Sequence, residues 1–287
     1  MRVVYQKTLF YCIFALCTAC SKGNTEAGTV LFFDSIPVVH PLNPIINEIS
    51  GIADSKLNPG YIWAEEDGGN PPQLYLLSHS GKLNKKIFIK GAVNRDWEEM
   101  QLSDGKIYIG DIGDNNRVYD EYYFYFFNEP SVSVDTISTL EKISFKYSDG
   151  PHDAEAFLID PQTRDIIIIT KRDNPSLLYK ISYPYNTTSL NMATPAGALS
   201  FSGVVGAALS PIGDEILIKT YLSIARFGRK QGESIAQALQ SASAVIAGYK
   251  VEPQGEAIGF SLDNKGFFTL SEKGFASSVN LYYYLRK

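Results

Sequence analysis

The stretch Asp153-Ala-Glu-Ala-Phe-Leu158 decides the fold, together with the turn Pro161-Gln-Thr163 and the apolar run from Asp165 to Thr170 that follow it. Two short apolar runs joined by a turn are typical of an antiparallel strand pair. The same order of run, turn and run recurs at four other places in the chain. The aligned centres of the five segments are Ser50, Glu98, Glu155, Val205 and Glu256.

These centres are separated by 48, 57, 50 and 51 residues. Two further strand candidates usually follow each pair, which gives four strands in each repeat of about 50 residues, the period of a β-propeller blade. We therefore predict an all-β fold, a β-propeller of five four-stranded blades. Six blades are the alternative, although they need repeats shorter than any of these spacings. A β-sandwich is the other all-β candidate, but it does not explain the period.

The last repeat begins at Glu256 and leaves room for only three strands. We predict that the N-terminal run Gly28-Thr-Val-Leu-Phe-Phe-Asp34 supplies the fourth strand, beside the run from Leu281 to Leu285. Closing the ring in this way removes exposed strand edges, which otherwise promote aggregation. A single helix is expected, from Glu233 to Gln240.

The first residues have the pattern of an export signal. Arg2 and Lys7 precede the apolar run Thr8–Ala19, which is too short to span a bilayer. Its end, Leu16-Cys-Thr-Ala-Cys20, resembles a bacterial lipobox, with Cys20 as the lipid acceptor. We predict a signal peptide at 1–19, a tether at 20–27, a single propeller domain at 28–287, and attachment to a membrane through the lipid on Cys20. The expected location is periplasmic or cell-surface, with the outer membrane preferred.

Composition limits the partners of this chain. The three cysteines are Cys12, Cys17 and Cys20, so the mature chain keeps one and forms no internal disulfide. The chain carries 26 basic and 31 acidic residues, a net charge of −5, and no basic run. Nucleic acid is therefore excluded as a partner. We expect a monomer with a small-molecule or polymer ligand that the sequence does not name.

Carboxylates recur at the predicted first strands. Because the first strand of every propeller blade lines the central channel, equivalent positions meet at one mouth. Crowded carboxylates repel one another, so they take up protons or surround a cation. Oxygen ligands suit Ca²⁺ first and Mg²⁺ second. The predicted metal ligands are Glu48, Asp96, Glu98, Glu155 and Glu256.

Three further residues are candidates for catalysis. Asp111 and Asp153 are predicted to act as a metal ligand or a general base, and Asp153 can orient the imidazole of His152. A structural turn histidine is an equally good interpretation of His152. The sequence contains no HExxH pair and no GxSxG elbow, which disfavours a zinc hydrolase and an α/β-hydrolase.

Several motifs together resemble a group of uncharacterised bacterial exported propeller lipoproteins. These motifs are Glu48-Ile-Ser-Gly-Ile52, Asp96-Trp-Glu-Glu-Met100, Gly110-Asp-Ile-Gly-Asp-Asn115, Asp153-Ala-Glu-Ala156 and Gln254-Gly-Glu-Ala257. More distantly, the first motif is similar to the SdiA-regulated and esterase-like phytase propellers and to the calcium-dependent lactonase propellers. The resemblance implies a divalent cation at the channel. Val205-Gly206 departs from the pattern because it has no acidic residue.

Three functions fit these observations. The first is a membrane-anchored propeller with a cation in its channel that hydrolyses an ester, a lactone or a phosphoester. The second is a non-catalytic binding or scaffold propeller whose metal is structural. The third is a glycoside hydrolase with two carboxylates across a sugar.

Overall fold

Twenty-one strands and one short helix make up the secondary structure of residues 32–241 and 244–287, which are the residues that this computed structural model describes. The predicted all-β fold is confirmed. The predicted signal peptide, the tether, Cys20 and the start of the predicted N-terminal strand lie outside the described residues. No helix in the described part of the chain is long and apolar enough to cross a membrane.

Twenty of the strands fall into five groups of four, each built on antiparallel pairs. Group 1 contains β2 (Ile49–Asp54), β3 (Tyr61–Glu66), β4 (Gln73–Ser78) and β5 (Leu83–Ile89). Group 2 contains β6 (Trp97–Ser103), β7 (Lys106–Asp111), β8 (Tyr122–Asn128) and β10 (Glu141–Tyr147). Group 3 contains β11 (Ala154–Ile159), β12 (Ile166–Thr170), β13 (Leu177–Ile181) and β14 (Asn191–Ala198).

Groups 4 and 5 follow the same order. Group 4 contains β15 (Val204–Leu209), β16 (Glu215–Thr220), β17 (Ile224–Gly228) and β18 (Val245–Ala247), with helix α1 (Ile235–Ser241) between its last two strands. Group 5 contains β19 (Gly255–Phe260), β20 (Gly266–Ser271), β21 (Asn280–Leu285) and β1 (Val38–Pro41). The short strand β9 (Thr136–Ile137) extends group 1, and a parallel pair of β10 with β14 joins groups 2 and 3 into one eight-stranded sheet.

The N-terminal pairing differs in position from the prediction. β1 pairs antiparallel with β21, with Val38 opposite Tyr283, whereas Phe33 makes only an isolated bridge to Arg286. Among the described residues, the strand that completes group 5 is therefore Val38–Pro41, which lies after the predicted run. Phe33 is instead buried edge-on against Phe267, at 4.9 Å between ring centroids, and acts as an apolar anchor.

The first strands of the groups contact one another in cyclic order: β2 with β6, β6 with β11, β11 with β15, β15 with β19, and β19 with β2. They surround a common axis, which we call the central channel. A hydrophobic cluster fills each of the five junctions between neighbouring groups. Middle strands such as β12 are buried along their whole length, because neighbours cover both faces. This packing fixes the first strands, and so places the site.

Candidate metal centre at one end of the channel

Every first strand carries a register shift near its start. In each of the five pairs of a first and a second strand, one residue of the first strand has no opposite partner. Such bulges bend a strand and re-aim a side chain. The bulged residues are Ser50, Glu98, Glu155, Val205 and Glu256, which are the five centres of the sequence repeat.

Three of these bulges bring glutamates together. Glu98, Glu155 and Glu256 each offer a carboxylate oxygen that lies within 4.8 Å of the others, and each residue is only 3–4% exposed. Burial, followed by the repulsion of Glu155, raises the pKa of Glu98 well above its ordinary value. Burial and then Glu256 do the same to the pKa of Glu155. The cluster therefore gains from a proton or a cation between its members.

One cation of the protein already reaches this cluster. The Lys171 ammonium donates a hydrogen bond to Glu155, lies 3.1 Å from the Tyr221 hydroxyl, and lies 3.9 Å from Glu256 Oε1. Tyr221 in turn donates to Glu256 at 2.5 Å. Burial opposes the charge of Lys171, but the field of Glu155 and Glu256 outweighs it and raises its pKa.

Two half-buried aspartates lead from the cluster towards solvent. Asp67, Asp96 and Glu98 offer oxygens within 4.8 Å of one another, so Glu98 belongs to both sets of three. Burial is the main reason that the pKa of Asp67 rises to about 7 and that the pKa of Asp96 also rises. We call Asp67, Asp96, Glu98, Glu155 and Glu256 the acidic mouth.

The acidic mouth of the described structure contains a buried carboxylate oxygen without a partner and a closely approaching loop. Glu155 Oε2 is buried without a hydrogen-bond partner among the described residues, although Oε1 of the same carboxylate accepts from Lys171. A methyl group on Gly113 would overlap Glu98 Oε1 and lie 2.6 Å from Asp96 Oδ2. The loop after β7 therefore runs directly beside the two carboxylates, and a side chain at position 113 would displace them.

Glu48, another predicted ligand, lies outside these two sets. It is exposed, and its Oε2 accepts a hydrogen bond from Asn70 Nδ2 at 2.7 Å. Its backbone carbonyl accepts from the amide of Asp67. Glu48 thus fixes the loop that carries Asp67, and its own carboxylate remains on the rim.

The two predicted catalytic aspartates accept hydrogen bonds from backbone amides. Asp111 Oδ1 accepts from the amide of Asp96 at 2.8 Å, and Asp153 Oδ1 accepts from the amide of Asp114 at 2.8 Å. The second oxygen of Asp153 lies 2.7 Å from Arg172 Nε. Burial is the main reason that the pKa of Asp111 rises to about 6. Both carboxylates shape the loops around the acidic mouth.

His152 is positioned by a different aspartate from the one predicted. Its Nδ1 lies 2.9 Å from Asp173 Oδ2 and its Nε2 lies 2.8 Å from the hydroxyl of Tyr179. The ring also packs against Tyr147 at 5.0 Å between centroids. With both nitrogens engaged, His152 matches the structural turn histidine that the sequence left open.

Tyr221 is the site residue that sequence reasoning missed. It directly follows β16, just as Asp67 follows β3, Lys171 follows β12 and Glu272 follows β20. The repeat thus supplies a second set of equivalent positions at the mouth. An alignment of the ends of the second strands would have found Tyr221, since a hydroxyl there replaces a carboxylate or an ammonium.

Two side chains of β6 cross the channel behind the glutamates. Glu99 Oε2 accepts from the amide of Ala207 at 3.0 Å, and Gln101 Nε2 donates to the carbonyl of Ala207 at 2.9 Å. Ala207 lies on β15, which is not the cyclic neighbour of β6. These bonds satisfy the amide and the carbonyl of Ala207 on the edge of β15 that faces the channel.

A buried lysine lies beneath Glu256. Lys219 donates to the carbonyl of Gly255 and contacts the Tyr249 hydroxyl at 2.9 Å. Burial lowers the pKa of Lys219 to about 8 and raises that of Glu252, close by, to about 7. The bond to Gly255 fixes the residue just before the bulge and so directs Glu256 into the channel.

No protein-family model matches the chain, and no curated protein sequence matches it. Among solved structures, an auxiliary nutrient binding protein from Bacteroides thetaiotaomicron is similar over 88% of this chain and 73% of that chain. The identity is 9% and the TM-score is 0.49. The class that the geometry itself defines is an all-β protein with a carboxylate-lined channel mouth.

Proposed function

We propose that this protein is an exported, lipid-anchored β-propeller of five blades whose acidic mouth binds a divalent cation, Ca²⁺ before Mg²⁺. Five features support the propeller: five groups of strands, cyclic contacts between their first strands, five interfacial cores, five bulges and a fourth strand of the last group taken from the N-terminal part of the chain. Each group is then one blade.

The observation that carries the cation proposal is the convergence of Glu98, Glu155 and Glu256 within 4.8 Å at 3–4% exposure, with Glu155 Oε2 buried and unbonded in the described structure. Calcium takes six to eight oxygen ligands, and waters complete its shell where a protein supplies fewer. Asp67 and Asp96 give a hydrated ion a path inwards. Lys171 contacts two of the five carboxylates, Glu155 and Glu256, so negative charge remains for a second cation.

A binding role suits this geometry better than hydrolysis by the predicted catalytic residues. Asp111, Asp153 and His152 are all engaged by neighbouring groups, and none is left to activate water. A sugar ring does not fit between glutamates that are 3–4% exposed, which disfavours the glycoside hydrolase. We therefore infer a cation-dependent binding module.

One observation favours a second candidate, a metal-dependent hydrolase of esters, lactones or phosphoesters. Asp67 is half-buried at the entrance, and its pKa of about 7 suits a general base that works near neutral pH. In this candidate Asp67, and not His152, accepts the proton of a metal-bound water.

Thermal unfolding with added cations tests the proposal. Ca²⁺ binds the folded state, so it raises Tm; at 100 times the Kd the gain is about 2.7 kcal/mol, or roughly 5–10 °C. Extracytoplasmic sites have Kd values on the order of 10⁻⁴–10⁻³ M. The variant Glu98→Gln should lose most of this rise, whereas the matched rim variant Glu48→Gln should keep it. If Ca²⁺, Mg²⁺ and Mn²⁺ all leave the wild-type Tm unchanged, the carboxylates are protonated or paired with Lys171, and the cation proposal fails.

An assay of substrate turnover distinguishes the binding module from the metal-dependent hydrolase. A panel of esters, lactones and phosphoesters is assayed with Ca²⁺ present. The binding module predicts no turnover by the wild type. Hydrolysis that Asp67→Asn abolishes, while the Ca²⁺-dependent rise in Tm survives, would instead select the hydrolase.

The lipid anchor has its own test. The prediction of a lipid on Cys20 rests on the lipobox-like end of the signal and on the absence of any other cysteine from the predicted mature sequence. A single acyl chain anchors a protein only marginally, whereas the several chains of a lipoprotein anchor it stably. We expect the wild type in the membrane fraction with a lipid-sized mass increase, and Cys20→Ser in the soluble fraction or unprocessed. Equal fractionation and unmodified mass in both would contradict the anchor.

A further inference from the structure

Group 4 is the one group that contributes no carboxylate to the acidic mouth. Its bulged residue is Val205, and Tyr221 follows β16 where Asp67 follows β3. Beside Tyr221 lies a pocket of about 610 Å³. Sites for small organic molecules typically have volumes of roughly 300–1000 Å³. On the side of group 4, the acidic mouth is therefore bordered by a pocket of the size that takes a small organic molecule.

The lining of this pocket is apolar or uncharged. Phe201, Leu222, Ala225 and Ile246 line it together with Tyr221, and the remaining described lining residues are serine, threonine, glycine and alanine. None of the described lining residues carries a charge. Leu222 is 77% exposed and Ile246 is 58% exposed, so both present apolar surface that a ligand can cover. The pocket therefore suits the uncharged, apolar part of a ligand.

Two contacts join the pocket to the acidic mouth. The hydroxyl of Tyr221 donates to Glu256 Oε1 at 2.5 Å. The amide of Gly203, another lining residue, donates to the backbone carbonyl of Lys171 at 3.1 Å. A molecule in the pocket that contacts Tyr221 is therefore only one side chain away from the glutamates.

Lys171 shows which polar group fits between the glutamates and Tyr221. Its ammonium is bonded to Glu155, lies 3.9 Å from Glu256 Oε1, and lies 5.1 Å from the centroid of the Tyr221 ring. An ammonium ion is attracted both by carboxylates and by the face of an aromatic ring. This corner of the acidic mouth therefore has the chemistry of an ammonium site.

The charge that Lys171 does not neutralise selects the head group of a ligand. Within the described ranges, Asp67, Asp96 and Glu98 form no ion pair with a basic side chain, and Glu155 Oε2 is buried without a hydrogen-bond partner. An anion beside these groups is repelled, and a neutral molecule gains nothing from their charge. The acidic mouth therefore favours a ligand with a positive head group.

We propose that the acidic mouth and the pocket beside Tyr221 together bind an organic ammonium ion with an apolar body. The ammonium lies among the carboxylates beside the Tyr221 hydroxyl, and the body lies against Phe201, Leu222 and Ile246. Because this ion uses the same negative charge as Ca²⁺, the two compete. Binding of the ammonium ion needs no metal, so it does not depend on the cation proposal.

The test is a calorimetric titration of the full-length protein with 2-phenylethylammonium in chelator. We expect saturable binding of one molecule per chain. Three related compounds should each bind at least about tenfold more weakly: 2-phenylethanol lacks the charge, methylammonium lacks the body, and 3-phenylpropanoate has a negative head group. Equal binding of 2-phenylethanol would show that charge plays no part, and equal binding of methylammonium would show that the pocket plays none. Either result, or the absence of saturable binding, overturns the proposal.

Variants locate the apolar body. Leu222→Lys changes an exposed side chain, so the fold is retained, and the like charge should raise the Kd at least about fivefold. The matched control is Ile212→Lys, which changes a 69% exposed side chain in the turn between β15 and β16, at the opposite end of group 4. It should leave the Kd unchanged. An equal Kd in Leu222→Lys and the wild type would remove the body from the pocket and overturn the proposal.

A second pair of variants locates the ammonium. Glu256→Gln keeps the size of the side chain and removes its charge, so it should raise the Kd at least about tenfold. The rim variant Glu48→Gln removes the same charge outside the acidic mouth and should change the Kd much less. Equal effects of the two variants would show that only the overall charge of the protein matters, which contradicts a defined ammonium site.

Competition with Ca²⁺ separates this proposal from the proposed function. If Ca²⁺ raises the Tm, saturating Ca²⁺ should also raise the Kd of 2-phenylethylammonium. Binding of both without competition would place the ammonium outside the acidic mouth and overturn this proposal. If Ca²⁺ leaves the Tm unchanged, the cation proposal fails, whereas the titration in chelator still decides whether the ammonium ion binds.

Discussion

Lys171 decides how much negative charge the acidic mouth presents. Its ammonium is bonded to Glu155 and lies 3.9 Å from Glu256, so it occupies space and charge that a metal ion would otherwise use. A lysine cannot leave the site as a bound ion can. Lys171 therefore offsets the repulsion among the carboxylates when no metal is bound, and it lowers the affinity of the acidic mouth for a metal ion.

We predict that Lys171→Met binds Ca²⁺ at least about fivefold more tightly than the wild type, because it removes a like charge a few ångströms from the ion. The same variant should unfold at a lower temperature in chelator, since Glu155 is then buried without its partner. Calorimetric titration measures the affinity and scanning calorimetry the Tm. The control Lys250→Met changes an exposed lysine and should alter neither. Weaker Ca²⁺ binding by Lys171→Met would show that Lys171 organises the ligands.

At the scale of elements, bulges and close loops build the site. A strand of strict period two would alternate its side chains, and one unpaired residue near the start of each first strand changes that order. The loop after β7 then approaches Glu98 so closely that a methyl group on Gly113 would overlap the carboxylate ends of Glu98 and Asp96.

We predict that Gly113→Ala disables the metal site and spares the fold. The added methyl meets the carboxylate ends of Glu98 and Asp96, which are flexible and can move away, so the Tm in chelator should change little. The Ca²⁺-dependent rise in Tm should fall by at least half. Gly228→Ala is the matched control, because nothing lies within 4 Å of its added methyl. An unchanged Ca²⁺ response in Gly113→Ala would show that Glu98 and Asp96 do not bind the ion together.

At the scale of the whole molecule, the buried carboxylates make the stability of the fold depend on pH. Burial is the main cause that raises the pKa of Asp67 to about 7, of Asp111 to about 6 and of Glu272 to about 8. A raised pKa means that the folded state favours the protonated form. Its contribution is therefore complete below the unfolded pKa, near 4, and is lost as pH rises through the folded values.

We predict that, in chelator, Tm falls by several degrees between pH 5.5 and 7.5. Lys219, whose pKa is lowered to about 8, acts in the opposite sense only above that window. Saturating Ca²⁺ stabilises the ionised carboxylates, so it should reduce or abolish the fall. Differential scanning fluorimetry at several pH values measures both curves, and Asp67→Asn should flatten the chelator curve. A Tm that rises with pH in chelator would contradict this assignment.

The repeat of about 50 residues made the all-β fold and the first strands predictable, because apolar runs and turns recur with that period. It also brought Glu98, Glu155 and Glu256 into register. It could not place β1, since Val38–Pro41 is a short edge strand with no distinctive pattern, whereas Phe33, which belongs to the more apolar run before it, makes an isolated bridge. It could not place His152 either, because its partners Asp173 and Tyr179 are set by folding and are distant in sequence.

The pairing of β1 with β21 also sets the order in which the molecule can be completed. The earliest of the described strands has the latest one as its only neighbour in group 5, so β1 remains unpaired until the C-terminal residues are available. Contacts between such distant segments form slowly. The first four groups can assemble as synthesis or export proceeds, each against the one before it. In group 5, β21 lies between β20 and β1, so a chain interrupted before β21 leaves the edge of β20 exposed and β1 without a partner, a form prone to aggregation.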